Sequence, residues 1–386
     1  MNCNIKSICL SATLCTVASF AQVAVTQTTS STVAYVYVSN ILTDTTSEVH
    51  AYAATKNGKL TPVDGSPFSA DVTNMAVNGK YLFGSSSNGT SVDSYFIESD
   101  GALRFAASNN IVNSNYNGCG FSGPIFFDHT GATLYDMEFQ GDCSNNMYQS
   151  LKVGKSTGNV QNLGSSGANA WLYLPASFIG NNIYAYSASC LGDMYWGIYS
   201  FKRSSNGLLT EINANAAPPT PPTGYFYCPS LTAADPTNHV AITMQPVNQT
   251  DFSPDRPAQL ASYKADSAGN LVTTNTHANM PHTAVGTVND IKMDPSGKLL
   301  AVGGTAGLQV FRFNGSQPIT HFTGLLTADS IDQFFWDNDN HLYAISNAAG
   351  KLFAFTVTPH SVRRAPGSPY SIDAPHNIIV QPLPRY

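Results

Sequence analysis

The chain is short of charge. Asp, Glu, Lys and Arg together make up 11% of its 386 residues, and the formal net charge is −6. Its 18 Lys and Arg residues form no cluster, which excludes the basic track that nucleic-acid binding needs to release counterions. Helical periodicity is missing as well, since no stretch carries apolar residues at three-and-four spacing for long enough to build an amphipathic helix. No apolar run reaches the roughly 18 residues of a membrane span. The sequence also lacks a G-x-S-x-G nucleophile turn, a His pair at zincin spacing and a Gly-rich phosphate loop. No cofactor is implied.

What the chain does have is repetition. A strand ending near an aromatic, a turn containing Gly and a second apolar strand recur seven times. The clearest copies are VHAYAATKNGKL (49–60), VDSYFIESDGAL (92–103), GIYSFKRSSNGLL (197–209) and LASYKADSAGNL (260–271). Looser copies begin at 148, 308 and 352, and each of the seven follows its own alternating strand, such as YVYVSN, YLFGSS or LLAVGG. A further apolar strand precedes most copies: NMAVN (74–78), PIFFD (124–128), WLYL (171–174), DIKMD (290–294) and QFFWD (333–337). The first copy has only the polar TQTTSST before it, and the missing strand reappears at the far end as HNIIVQPLP (376–384). GSPFS (65–69) and GSPYS (367–371) mark the same blade exit near each terminus. This pattern predicts an all-β fold, a seven-bladed β-propeller of four-stranded antiparallel blades over residues 33–386. The C-terminal strand completes the first blade and so removes the open edges of the ring.

Residues 1–21 read as a secretory signal peptide: Lys6, an apolar run from Ile8 to Phe20, and a small-residue cleavage site at Ser19-Phe20-Ala21. Residues 22–32 are a polar linker, and the expected location is extracellular or periplasmic. Removal of Cys3, Cys9 and Cys15 leaves Cys119, Cys143, Cys190 and Cys228. An even count in an exported chain suggests two disulfides, with three pairings open to it. All four fall on the face that carries the second-to-third loops and the blade links. Cys119–Cys143 and Cys190–Cys228 are therefore the favoured pairs, with free buried thiols as the alternative. The long segments 111–122, 141–147, 188–195, 214–229 and 246–259 belong to the same face. They include a Pro-rich arm with Tyr225, Phe226 and Tyr227, and they mark that face, over the middle blades, as the expected functional surface.

Units such as YVYVSN…VHAYAATKNGKLTPVDGSPF and IKMDPSGKLLAVGG resemble the seven-bladed lactonase-type propellers, which include the propeller 6-phosphogluconolactonases and the carboxymuconate cyclases. That family shows a Pro-Arg-His triplet at the start of inner strands, where side chains reach the central channel. The matching positions here read Pro375-His376-Asn377, Thr73-Asn74, Asn289-Asp290 and Asp332-Gln333, polar pairs without an Arg. The resemblance implies lactone hydrolysis at the channel mouth. His376, Asp332 and Asp290 are the candidate bases, and Asn74, Asn289, Gln333 and Asn377 the candidate substrate donors, with His282 ahead of another inner strand. Lys292 is expected to be directed elsewhere, leaving no cation for a phosphorylated substrate. The other reading is a non-catalytic exported propeller that binds a glycan, peptide or protein partner on the long-loop face. A small-molecule lactone or carbohydrate-type ligand, no nucleic acid and a monomeric chain are the partner expectations. Asp337-Asn338-Asp339-Asn340 looks like the start of a calcium loop but lacks its Gly and closing Glu, so it is read as a turn, and no metal is expected.

Overall fold

Runs such as YLFGS (81–85), LLAVGG (299–304) and HLYAIS (341–346) have no polar face, so the strands they form must be covered on both sides. The computed structural model describes residues 31–43, 46–86, 89–111, 124–139, 146–166, 175–191 and 195–384. In it these runs are the second strands of their blades and are buried along their whole length. The expected signal peptide, most of the expected linker, Cys119 and Cys143 lie outside the described residues.

Seven antiparallel sheets form the blades of a β-propeller. Blade 1 consists of Pro375–Pro382, Thr32–Thr43, Thr46–Thr55 and Leu60–Pro62, from the axis outward. Blade 2 runs from Met75–Val77 to Leu103–Asn110, and blade 3 from Phe126–Phe127 to Val160–Ser165. Blade 4 runs from Ser177–Phe178 to Leu209–Ile212, and blade 5 from Tyr225–Ala234 to Leu271–Val272. Blade 6 runs from Val288–Met293 to Gln317–His321, and blade 7 from Gln333–Trp336 to Ser361–Arg364. The C-terminal strand pairs with the first strand from Ala34↔Pro382 to Asn40↔Pro375, closing the ring as the sequence predicts.

Three details differ from the sequence reading. WLYL (171–174) lies outside the described residues, and the inner strand of blade 4 is Ser177–Phe178 instead. Tyr225, Phe226 and Tyr227 do not belong to a loop. They open a ten-residue inner strand that pairs with Pro246–Asn248 of its neighbour, and the register shifts only further along, between Pro229 and Thr232. Blades 1 and 7 each carry a fifth short strand, Phe68–Ser69 and Tyr370–Ser371, paired to the third strand of the blade. In both, a Ser hydroxyl just before it accepts a backbone N–H of that third strand, Ser66 from Ala51 and Ser368 from Ala354, each at 2.9 Å.

The apolar core sits between blades. Each of the seven interfaces has its own cluster; Tyr37, Val49, Leu82 and Tyr95 fill that of blades 1 and 2, and Leu299, Val310, Phe334 and Phe353 that of blades 6 and 7. The recurring Gly turn belongs to these interfaces. Gly101 turns between the third and fourth strands of blade 2 at φ +89°, where an added Cβ would overlap the Tyr35 ring of blade 1. Tyr37 donates its hydroxyl to the Gly101 carbonyl at 3.0 Å. The same bond joins Tyr135 to Gly207 at 2.7 Å and Tyr186 to Gly269 at 3.0 Å. At these three interfaces the Gly turn of one blade thus meets a Tyr from the second strand of the blade before it.

Cys190, at the end of the second strand of blade 4, is disulfide-bonded to Cys228 in the inner strand of blade 5, with Cα atoms 5.2 Å apart. It joins one blade to the next on the face that carries the blade links.

Two stability measurements follow from these contacts. Gly101→Ala should cost at least about 2 kcal/mol in urea unfolding, from the strained φ plus the overlap with Tyr35, and a loss below about 0.5 kcal/mol would contradict the contact. Removing the disulfide with Cys190→Ser and Cys228→Ser together should cost about 4 kcal/mol by loop entropy. A non-reducing peptide map should show the 190–228 link in the unmodified chain.

Candidate active site at the channel mouth

An inner strand has a partner on its outer edge only. Its other edge faces the axis, and all seven inner strands line one cavity there of about 830 Å³. The polar pairs of the sequence occupy the starts of four of these strands, and each pair turns out to be a β-bulge. In blade 1 the register passes from Ser39↔Asn377 to Asn40↔Pro375, leaving His376 as the extra residue. In blade 6 it passes from Val288↔Gly304 to Asp290↔Gly303, leaving Asn289. In blade 7 the Asp332 N–H donates to Ile345 O at 3.1 Å, while Gln333 is the register partner of that same Ile345. In blade 2, Thr73 and Asn74 both bond to the backbone of Ser85. A bulge re-aims the side chain of its extra residue, so the two members of each pair come to have different surroundings.

Three of the second members staple blades together. Asp290 Oδ2 accepts the Phe334 N–H at 3.1 Å, Gln333 Oε1 accepts the Ile378 N–H at 2.8 Å, and Asn377 Oδ1 accepts the Met75 N–H at 3.0 Å. Each staple takes a backbone donor on the axis-facing edge of the following blade. Left unpaired, such a buried donor costs about 1–3 kcal/mol. Asp290 is also held at 2.9 Å by Lys292, whose ammonium lies 4.3 Å from the centre of the Phe335 ring. Burial pushes the Asp290 carboxyl up, and the Lys292 charge opposes that shift.

Of the first members, Asn289, Asp332 and His376 line the mouth, whereas the Thr73 hydroxyl is bonded to Ser85. Asn289 donates to Ile331 O at 2.9 Å. Asp332 is half-buried and accepts the Asn347 N–H at 2.6 Å. His376 is exposed to the cavity, yet desolvation by the surrounding wall lowers its pKa below the usual histidine range, opposed by the nearby Asp332 carboxylate.

Of the residues singled out from sequence, Asn74, Asn289, Asp290, Asp332, Gln333, His376 and Asn377 all line this one cavity. His282 does not; it is exposed on the link between blades 5 and 6, bridged to Gln259. Lys292, expected to be directed elsewhere, reaches the cavity wall, because it lies two positions from Asp290 on the same side of the strand and is drawn to its carboxylate. The acidic turn at Asp337 spends its carboxylate internally. Oδ1 accepts the N–H groups of Asp339 at 2.8 Å and His341 at 2.9 Å, and Oδ2 meets His341 Nδ1 at 2.7 Å and the Tyr343 hydroxyl at 3.0 Å.

On the same face, blade 5 is built on long strands. The paired ten-residue strands Tyr225–Ala234 and His239–Asn248 are longer than the inner strands elsewhere in the ring. The loop beyond them is tied down by Gln245 Nε2 to Arg256 O at 2.7 Å and by the Tyr227 hydroxyl to Gln259 Oε1 at 2.6 Å. The Arg256 guanidinium lies 4.0 Å from the centre of the Tyr225 ring.

No protein-family model matches the sequence, and no curated protein does. Solved structures do match the fold. A candidate 6-phosphogluconolactonase from Bacteroides fragilis superposes with a TM-score of 0.63 at 12% identity, covering 91% of this chain and 99% of its own. The periplasmic gluconolactonase of Pseudomonas aeruginosa gives 0.62 at 12% identity, with 91% and 100% covered. A hypothetical selenium-binding protein from Sulfolobus tokodaii gives 0.58 at 10% identity, with 91% and 94% covered. The fold is therefore that of the lactonase-like seven-bladed propellers, and at these identities the likeness is one of fold. Among the described residues, no helix is long and apolar enough to cross a membrane.

The split between staples and mouth residues has a direct test. Asn377→Ala should lower unfolding free energy by about 1–3 kcal/mol through the orphaned Met75 N–H, while His376→Ala next to it should stay within about 0.5 kcal/mol of the unmodified chain. Equal losses in urea titrations of the two variants would remove the distinction.

Proposed function

We propose that the protein hydrolyses an uncharged lactone at the mouth of the axial channel. The observation that carries this reading is the bulge that turns His376 toward the cavity, with the Asp332 carboxylate near enough to act on it. The lowered pKa keeps the imidazole neutral at neutral pH, the form a general base needs. In the proposed reaction His376 takes a proton from water as the water oxygen bonds to the lactone carbonyl carbon. The developing imidazolium is balanced by Asp332. Collapse of the tetrahedral intermediate breaks the ring C–O bond, and the imidazolium returns its proton to the departing alkoxide, giving a hydroxy acid. Gln333 and Asn377 use their amide oxygens as staples, which leaves their NH2 groups as donors for the oxyanion.

Charge favours a neutral substrate. Lys292 is the one Lys or Arg among the residues lining the cavity, and Asp290 already neutralises it. A phosphorylated sugar lactone would find no free counter-charge there. The Cys190–Cys228 disulfide suits an oxidising compartment, and the Pseudomonas aeruginosa neighbour is periplasmic by name, so we place the protein outside the cytoplasm. The long, disulfide-anchored strands of blade 5 favour a second reading, a propeller that binds a glycan or protein partner there without turnover.

A screen of neutral and phosphorylated lactones on the purified chain decides between the two. Turnover of neutral lactones is expected, with kcat at least about 100-fold lower in His376→Ala. Activity should rise with pH through the folded pKa of His376, below its ordinary value of 6.5, and reach its plateau by neutral pH. A fully active His376→Ala would remove the site, and no turnover of any lactone would leave the binding reading.

A further inference from the structure

Asn347 follows the second strand of blade 7, His341–Ser346, and bonds both to Asp332 and to the residue before His376. Its backbone N–H donates to Asp332 Oδ2 at 2.6 Å, and its side-chain Nδ2 donates to the carbonyl of Pro375 at 3.1 Å. That carbonyl belongs to the peptide joining Pro375 to His376. The residue before it, Ala374, has a φ of +39°, in the region that L-residues adopt only under constraint, just ahead of the strand pairing of Pro375 with Asn40. Thr305, which follows the second strand of blade 6, offers a contrast. Its hydroxyl accepts the Thr287 N–H at 3.1 Å within its own blade. Asn347 instead spans from blade 7 to blade 1 across the ring closure.

We propose that Asn347 is a positioning residue that holds the Asp332 carboxylate and the His376 backbone at a fixed separation. The inference rests on the lactone-hydrolase reading for its consequence in catalysis, but not for its geometry. Removing the side chain leaves the backbone bond to Asp332 and the strand pairing of Pro375 with Asn40 but takes away the tie between them, so His376 shifts relative to the carboxylate. Asp332 is the charged group acting on His376, while Asp290 and Lys292 on blade 6 compensate each other and Asp373 is exposed on the approach to the strand. Weakening the influence of the Asp332 charge on His376 therefore lowers the His376 titration midpoint.

The experiment follows the His376 imidazole by NMR titration of the full chain, with His376→Gln to assign the signal, alongside kcat and KM on whichever lactone turns over. Asn347→Ala and the similarly sized Asn347→Leu should both lower the midpoint by about half a pH unit, toward that of Asp332→Asn. They should also reduce kcat about tenfold, with KM changed by less than about twofold. Thr305→Ala should leave the midpoint where it is. If Asn347→Leu titrates like the unmodified chain, the role is space-filling and the proposal falls. A midpoint shift without turnover of any lactone would keep the positioning role and sink the hydrolase reading. Turnover with an unmoved midpoint and kcat would do the reverse.

Discussion

A propeller's inner strand must expose one edge to the axis, and the backbone donors along that edge have to be satisfied without a further strand. In this chain the problem is solved by side chains from the preceding blade: Asp290 for Phe334, Gln333 for Ile378 and Asn377 for Met75. Each acceptor sits at the second position of a bulge, and the first position of the same bulge is then turned to the channel mouth. The candidate site is thus a consequence of the edge problem. His376 and Asp332 stand where they do because their neighbours are holding the ring together, while Asn289 adds a bond of its own to Ile331 O.

The outer parts of the blades obey the same logic at their faces. A four-stranded sheet has two apolar faces to cover, and the only surfaces available are the adjacent blades, so the core divides into seven interface clusters. Tyr hydroxyls reaching the next blade's Gly turn add direction to packing that is otherwise only apolar. The disulfide from blade 4 to blade 5 adds a covalent link at the long inner strand of blade 5.

Much of this was legible in the sequence. The seven copies, the displaced closing strand and the four polar pairs could be read from residue order, because strand alternation and Gly turns are local properties. The division of labour within each pair could not. Asn377 and Met75 are 302 positions apart, and nothing around either residue says that one caps the other. Lys292 was misjudged for a related reason, since its direction is set by the Asp290 carboxylate and the Phe335 ring across the blade interface. The inner strand of blade 5 was hidden behind a Pro-rich arm, and its aromatic residues revealed themselves as strand only through pairing with Pro246–Asn248. His282 shared the residue type of a site histidine without its position in a bulge.

Sequence alone determined the all-β architecture, the number of blades, the way the ring closes and the positions at which polar residues meet the channel. Those follow from periodicity, and periodicity survives without knowledge of neighbours. Only the tertiary structure decided which of those polar residues are consumed in holding blades together and which are left at the mouth. A hydrogen bond is made by geometry between blades, and the chain does not encode at either partner the distance that separates them in space.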